Sequence, residues 1–76
     1  MKQATRTLDA TGLLCPLPVL RAQKVLREMA PGTVLEVHTT DPASWTDMPA
    51  FCGDAGHTLL ARHRTENQMT FVIERT

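Results

Sequence analysis

The sequence predicts a two-layer α/β sandwich with the element order βαβαββ, in which two helices cover one face of a mixed four-stranded sheet. Two patterns favour it. An apolar stripe at helical spacing lies between two short strand-like segments, and two alternating segments close the chain. The strand–helix–strand unit requires parallel strands with a right-handed crossover, whereas the closing pair requires an antiparallel hairpin. With 76 residues, we expect one domain that spans residues 1–76.

The first strand and the first helix flank a Cys-Pro-Leu-Pro segment at residues 15–18. Residues 5–10 alternate weakly and predict a short strand, after which Gly12 allows a turn. Beyond the prolines, apolar residues recur at three- and four-residue intervals and would line one helix face: Val19, Ala22, Leu26 and Met29. Pro31-Gly32 should end this helix, because proline cannot continue it.

The middle of the chain predicts a strand and an irregular helix. Residues 33–40 are rich in β-branched side chains and predict the second strand. Asp41 is a candidate helix cap with Pro42 at the first helical position, and Asp47 is a second candidate cap before residues 48–55. Because this segment contains one proline and glycines near its end, we expect a short element that frays.

The last third of the chain predicts an antiparallel hairpin. Residues 58–64 and 69–74 alternate in the manner of half-buried strands. Residues 65–68 would form a loop slightly longer than the tightest hairpin turn. The methionines at apolar-periodic positions, Met29, Met48 and Met69, are predicted to lie in the core.

Composition and charge disfavour several functions. The formal net charge is zero and only 4% of the residues are aromatic, which disfavours nucleic-acid binding. No segment resembles a signal peptide or approaches the roughly 20 apolar residues of a membrane span. We therefore expect a cytoplasmic protein, monomeric, without a direct nucleic-acid or membrane partner. Its thiols should be reduced there.

Cys15 is the strongest candidate for a reactive group. With Pro16 at the first helical position and Pro18 in the first turn, Cys15 would cap the helix on a backbone that the prolines hold rigid. The partial positive charge of a helix N-terminus favours a thiolate, so we expect a lowered thiol pKa. A thiolate can attack a persulfide on a donor and take its outer sulfur.

The other candidate residues are weighed against structural roles. Cys52 follows Phe51 in an apolar segment and is predicted to pack. The separations of the histidines, His38, His57 and His63, from the cysteines fit no paired zinc pattern, so we expect neither metal nor cofactor. Trp45 is more often a covering residue in such a position than an exposed contact. His57, near the end of the second helix, could equally be a cation at the helix terminus.

Charged residues near Cys15 suggest a docking surface. The basic residues of the first helix, Arg21, Lys24 and Arg27, could meet an acidic partner, with a solvated helix face as an equal alternative. Asp9 and Asp41 flank strand ends and could line the same end of the fold. For Asp41, an ordinary capping role is the favoured interpretation.

At these residues the sequence resembles the TusA (SirA-like) family of sulfur carriers along nearly its whole length. Leu8-Asp9-Ala10, Gly12 and the segment Cys15 to Val19 are similar to the N-terminal signature of the family. Pro31-Gly32 is similar to the stop after its first helix. Further similar segments follow in the same order: Thr40 to Ala43, Asp47 to Cys52, and Gly56 to Leu60.

The resemblance implies a fold like the C-terminal domain of translation initiation factor 3, with Cys15 as the persulfide-carrying residue. It implies a cysteine desulfurase or rhodanese as the sulfur donor and DsrEFH/TusBCD-type proteins as acceptors. The pathways implied are tRNA 2-thiouridine synthesis, molybdenum-cofactor supply and dissimilatory sulfur oxidation. Leu17 departs from the acidic residue that the tRNA-pathway relatives often carry after the first proline, so it is a further candidate docking residue.

Two other functions remain open from the sequence. The first is a thiol redox or regulatory module, in which Cys15 forms a disulfide with Cys52 or with glutathione; the absence of a Cys-x-x-Cys pair disfavours it. The second is a nucleic-acid-binding module by analogy of fold, which composition disfavours.

Overall fold

The computed structural model describes residues 4–76 and contains four strands and two helices in the predicted order. The elements are β1 (Arg6–Ala10), α1 (Leu17–Arg27), β2 (Val34–Thr39), α2 (Ser44–Ala55), β3 (Thr58–Arg64) and β4 (Met69–Glu74). Both strands of the closing hairpin begin and end at the predicted residues. None of the helices in the described part of the chain is long and apolar enough to cross a membrane.

The four strands form one mixed sheet in the order β1-β2-β4-β3. β1 pairs with β2 in parallel, whereas β4 pairs antiparallel with both β2 and β3. This arrangement confirms the predicted two-layer sandwich. Because β1 and β2 are parallel, their carboxyl ends meet at one edge of the sheet, and so do the loops that lead into α1 and α2.

The core lies between the helices and the sheet. Ala22 and Leu26 of α1 and Met48 of α2 are fully buried against Leu35 and Phe71 of the central strands. The three methionines predicted to be core residues are all buried. The apolar stripe of the sequence therefore identifies the packed face of α1 correctly.

Helix α2 is longer and more regular than predicted. It runs for 12 residues through Asp47 and Pro49, so the expectation of a fraying element and of a cap at Asp47 is wrong. Pro49 has no N–H to donate to the Trp45 carbonyl four residues earlier. The guanidinium of Arg62 on β3 donates to that carbonyl at 2.6 Å instead, so a neighbouring strand replaces the missing hydrogen bond.

The start of α2 also differs from the prediction. Its cap is Ala43, not Asp41, and the Asp41 carboxylate accepts from the Ala43 N–H at 3.1 Å. Ser44 and Trp45 donate to carbonyls three residues back, at 3.0 and 3.1 Å. A tight turn of this kind delays the helix by two residues and leaves the second oxygen of Asp41 for another donor.

Cys52 lies in the core on α2 with 2% of its surface exposed, as predicted. Burial in apolar surroundings disfavours the charged thiolate. It raises the pKa of Cys52 to about 11 from an ordinary value of 9.0.

This burial predicts how stability depends on pH. Below pH 9 the Cys52 thiol is neutral in the folded and in the unfolded protein. Above pH 9 it ionises freely only in the unfolded protein. The free energy of unfolding should therefore fall by about 2 kcal/mol more in the wild type than in Cys52→Ala between pH 9 and 11. Urea titrations with reductant would measure it. Equal slopes in the two proteins would contradict the assignment.

Candidate functional site

The candidate site is built from the two loops that follow β1 and β2. The Gly12 N–H donates to the Thr40 hydroxyl at 2.9 Å, and the Cys15 N–H donates to the Asp41 carboxylate at 2.5 Å. Asp41 therefore bridges both segments, because its other oxygen accepts from Ala43 at the start of α2. These three hydrogen bonds hold the cysteine-bearing loop against the second helix.

Cys15 does not cap α1, which corrects the expectation from sequence. The cap is Pro16, the helix starts at Leu17, and no side chain bonds the helix terminus. Leu17 N–H donates to the Leu14 carbonyl at 2.8 Å, so Cys15 sits inside a turn that precedes the helix. The peptide bond between Cys15 and Pro16 is cis.

The two prolines of the motif have different surroundings. Pro18 is buried in the first turn of α1, where a missing N–H costs no intrahelical hydrogen bond. Pro16 is exposed, and its carbonyl accepts the first helical bond from Leu20 at 3.1 Å. One proline thus anchors the turn in the protein while the other lies on the surface beside Cys15.

The Cys15 thiol is exposed but not activated by the helix. Its Sγ donates to a carboxylate oxygen of Asp47 at 3.0 Å. That hydrogen bond, followed by partial desolvation and the negative charges of Asp47 and Asp41, raises the pKa of the Cys15 thiol above its usual value. The predicted lowering of the pKa is therefore wrong, because two nearby carboxylates outweigh the terminus of a helix that the sulfur does not cap.

Asp47 is the site residue that the sequence interpretation missed. The sequence predicts Asp47 as a candidate cap within a segment similar to the family, whereas the structure places it in the first turn of α2. Its contact with Cys15 joins residues 32 positions apart. The predicted topology does indicate this proximity, because parallel pairing of β1 and β2 places the segments that follow the two strands side by side.

The surface around Cys15 combines apolar and basic side chains, which we call the α1 surface: Leu14, Leu17, Leu20, Arg21, Lys24 and Arg27. All six are exposed, and the exposed fractions of Leu14, Leu17 and Leu20 are 70%, 42% and 50%. Within residues 4–76, none of the three cations makes an ion pair. Residues three or four positions apart share one face of a helix. One face of α1 therefore carries Leu17, Leu20, Arg21 and Lys24.

The remaining candidates lie elsewhere in the fold. Asp9 is at the same sheet edge as Asp41, but its carboxylate accepts from the Thr11 N–H at 3.0 Å and from the Thr11 hydroxyl. Both bonds lower the pKa of Asp9. Asp9 therefore stabilises its own turn and does not contact Cys15.

Trp45 covers the core at the edge of the sheet. It is half-buried, its ring lies 6.2 Å from that of Phe71, and the guanidiniums of Arg62 and Arg64 lie 4.0 and 4.6 Å from its centroid. The ring is thus shielded on the solvent side by cations of β3. This arrangement favours the covering role that the sequence predicts for Trp45.

The histidines are dispersed over the fold. His38 bonds Glu36 at 2.7 Å on β2, and His63 is exposed on β3. His57 accepts from the Thr76 N–H at 3.3 Å, and burial followed by the charge of Arg75 lowers its pKa, which disfavours a cation at the end of α2. Residues 4–76 contain no group of three or more His, Cys, Asp or Glu arranged to hold a metal ion.

Two surface grooves of about 280 and 380 Å³ are present, and Cys15 lines neither. One groove lies beside the β3–β4 loop and the other on the open face of the sheet, next to Asp9 and His38. Cys15 is exposed and lies outside both of these grooves.

Sequence and structure comparisons with known proteins match nearly the whole chain. A family model described as Sulfurtransferase TusA matches residues 6–75. Sulfur carrier protein TusA of Pseudomonas entomophila is 45% identical over 69 residues, which cover 91% of this chain and 86% of that protein. Sulfur carrier protein TusA of Allochromatium vinosum is 41% identical over 76 residues, which cover 100% of both chains. A SirA-like protein of Desulfitobacterium hafniense has a solved structure with a TM-score of 0.81 and 26% identity, covering 92% of this chain and 96% of that chain. This chain belongs to the TusA family.

Proposed function

We propose that this protein is a sulfur carrier that accepts sulfur as a persulfide on Cys15 and passes it to an acceptor protein. The observation that carries the proposal is an exposed Cys15 thiol whose residue is held by hydrogen bonds to Asp41, after β2, and to Asp47, on α2. A carrier needs only such an accessible sulfur and a docking surface. Relatives named as sulfur carrier proteins, similar along most or all of their length, support the same function.

The transfer is a pair of exchange steps. The Cys15 thiol loses its proton, and its Sγ attacks the outer sulfur of a persulfide on the donor. The sulfur–sulfur bond of the donor breaks and the donor leaves as a thiolate, which takes up a proton. In the second step a thiolate of the acceptor attacks the outer sulfur on Cys15, and Cys15 returns to its thiol form. No electrons are gained or lost overall.

A redox module that forms a disulfide between Cys15 and Cys52 is disfavoured. Cys52 of α2 is buried in the core, whereas Cys15 is exposed on the loop between β1 and α1. Bringing the two sulfurs together would require the core to open. The chain has two cysteines, so it has no other resolving thiol within itself.

The α1 surface is the proposed docking site for donor and acceptor proteins. Leu14, Leu17 and Leu20 provide an exposed apolar area beside Cys15, and unpaired cations lie one to three turns further along the helix. This combination fits a partner surface with an apolar centre and an acidic rim. Asp41 would contribute by holding Cys15 in position.

The resemblance to the family suggests finer assignments. We propose a cysteine desulfurase or a rhodanese as donor and a DsrEFH/TusBCD-type protein as acceptor. The pathway would be tRNA 2-thiouridine synthesis or dissimilatory sulfur oxidation. The carrier would act in the cytoplasm, where thiols stay reduced, as a monomer with a single domain over residues 1–76.

Sulfur loading tests the proposal directly. The protein is incubated with a cysteine desulfurase and cysteine, or with a rhodanese and thiosulfate, and its intact mass is recorded without reductant. We expect a gain of one sulfur atom that reductant removes. The gain should persist in Cys52→Ser and be absent in Cys15→Ser. No gain with either donor, or a gain that disappears with Cys52, would contradict the proposal.

Charge neutralisation on α1 tests the docking site. Lys24→Gln should raise the donor concentration needed for half-maximal loading by roughly two- to fivefold, because a rim cation contributes about 0.5–1 kcal/mol to association. Iodoacetamide should alkylate Cys15 at the wild-type rate.

Arg6→Gln is the matched control for Lys24→Gln. It removes the same charge at the amino end of β1, away from the loop that carries Cys15, and loses only a 3.9 Å surface ion pair with Glu28. If the two variants weakened loading equally, net charge and not the α1 surface would explain the effect.

A further inference from the structure

The immediate surroundings of Cys15 are unusual for a group that must act as a nucleophile. The Asp47 carboxylate contacts the thiol directly, because one of its oxygens accepts a hydrogen bond from Cys15 Sγ at 3.0 Å. Asp41 contributes a second carboxylate, which accepts from the backbone N–H of Cys15 at 2.5 Å. Both anions stabilise the protonated thiol and oppose the thiolate.

The same two carboxylates lack a cationic partner in the part of the chain that the structure describes. Among residues 4–76, neither Asp41 nor Asp47 makes an ion pair. Both side chains are half-buried, so each retains a solvent-facing side. The basic residues of α1 remain unpaired on its outer face and do not neutralise them. The site therefore presents two uncompensated anions next to an exposed sulfur.

We propose that Asp47 is a specificity-determining residue that holds Cys15 as a hydrogen-bonded thiol in the free carrier and releases it when a protein partner brings a cation to the carboxylate. This inference rests on the proposed function. A partner's guanidinium or ammonium group would pair with Asp47 and remove the acceptor of the thiol proton. Docking and activation would then be the same event.

The chemical consequence concerns small molecules. Glutathione persulfide can deliver sulfur by the same exchange: Sγ of Cys15 attacks its outer sulfur, the sulfur–sulfur bond breaks, and glutathione leaves as a thiolate that takes up the proton from Cys15. This probe brings no cation to Asp47 in a fixed position. The free carrier should therefore react with it slowly, whereas a docked protein donor should react fast.

The first test is the rate of Cys15 alkylation by iodoacetamide as a function of pH, followed by intact mass on the full chain. In the wild type, the pH at which the alkylation rate is half-maximal (the midpoint) should lie above that of an unstructured peptide with the sequence of residues 13–18. Asp47→Asn should move the midpoint down and raise the rate at pH 7 roughly threefold or more, because the thiolate fraction rises tenfold for each unit by which the pKa falls.

Two further variants distinguish electrostatics from folding. Asp47→Glu keeps a carboxylate, so its midpoint should stay above that of the peptide. Asp54→Asn removes a carboxylate near the other end of α2, seven residues or about 10 Å along the helix, and should leave the profile unchanged. Circular dichroism would establish that each variant keeps its helices. A wild-type midpoint at or below that of the peptide would overturn the proposal without any variant.

The second test compares two sulfur sources at pH 7, glutathione persulfide and a cysteine desulfurase with cysteine. The wild-type protein should favour the protein donor, and Asp47→Asn should reduce the ratio of the two loading rates by roughly threefold or more. An unchanged ratio would overturn the proposed specificity. These failures would leave loading of Cys15 intact, whereas absence of loading from any source would count against the sulfur-carrier function itself.

Discussion

The parallel pairing of β1 with β2 is the constraint on which the site depends. In a parallel pair the chain leaves both strands at the same edge of the sheet, so the loop with Cys15 and the start of α2 must lie side by side. Asp41 uses this proximity by accepting from the backbone of both segments. The Cys15 sulfur is thus positioned by backbone topology and by one bridging carboxylate.

Two electrostatic influences compete at Cys15, and the local geometry decides between them. A helix terminus acts over its first turn and through N–H groups that point at the ligand. Because α1 begins at Leu17, the sulfur lies outside that position, whereas the Asp47 carboxylate is 3.0 Å away. The thiol therefore stays protonated more readily than free cysteine. In a carrier, a thiol that stays protonated in the free state reacts less with unintended electrophiles.

Most of the fold could be predicted from the sequence, because periodicity reports which face of an element is buried. The face of α1 that contains Leu26 and the hairpin bounds both follow from such local patterns. The contacts that decide the chemistry of the site could not be predicted this way. The bond from Cys15 to Asp47 crosses 32 residues, and Pro49 is accommodated in α2 because Arg62 of a later strand bonds the free carbonyl.

A single-turnover transfer with isotopically labelled sulfur would show whether sulfur enters and leaves through Cys15. The carrier is loaded with labelled sulfur, separated from its donor, and mixed with a DsrEFH/TusBCD-type acceptor, after which both proteins are weighed by mass spectrometry. We expect one labelled sulfur per carrier, located on the peptide that contains Cys15, and its transfer to a cysteine of the acceptor. Label that stays on the carrier, or that loads equally well onto Cys15→Ser, would contradict it.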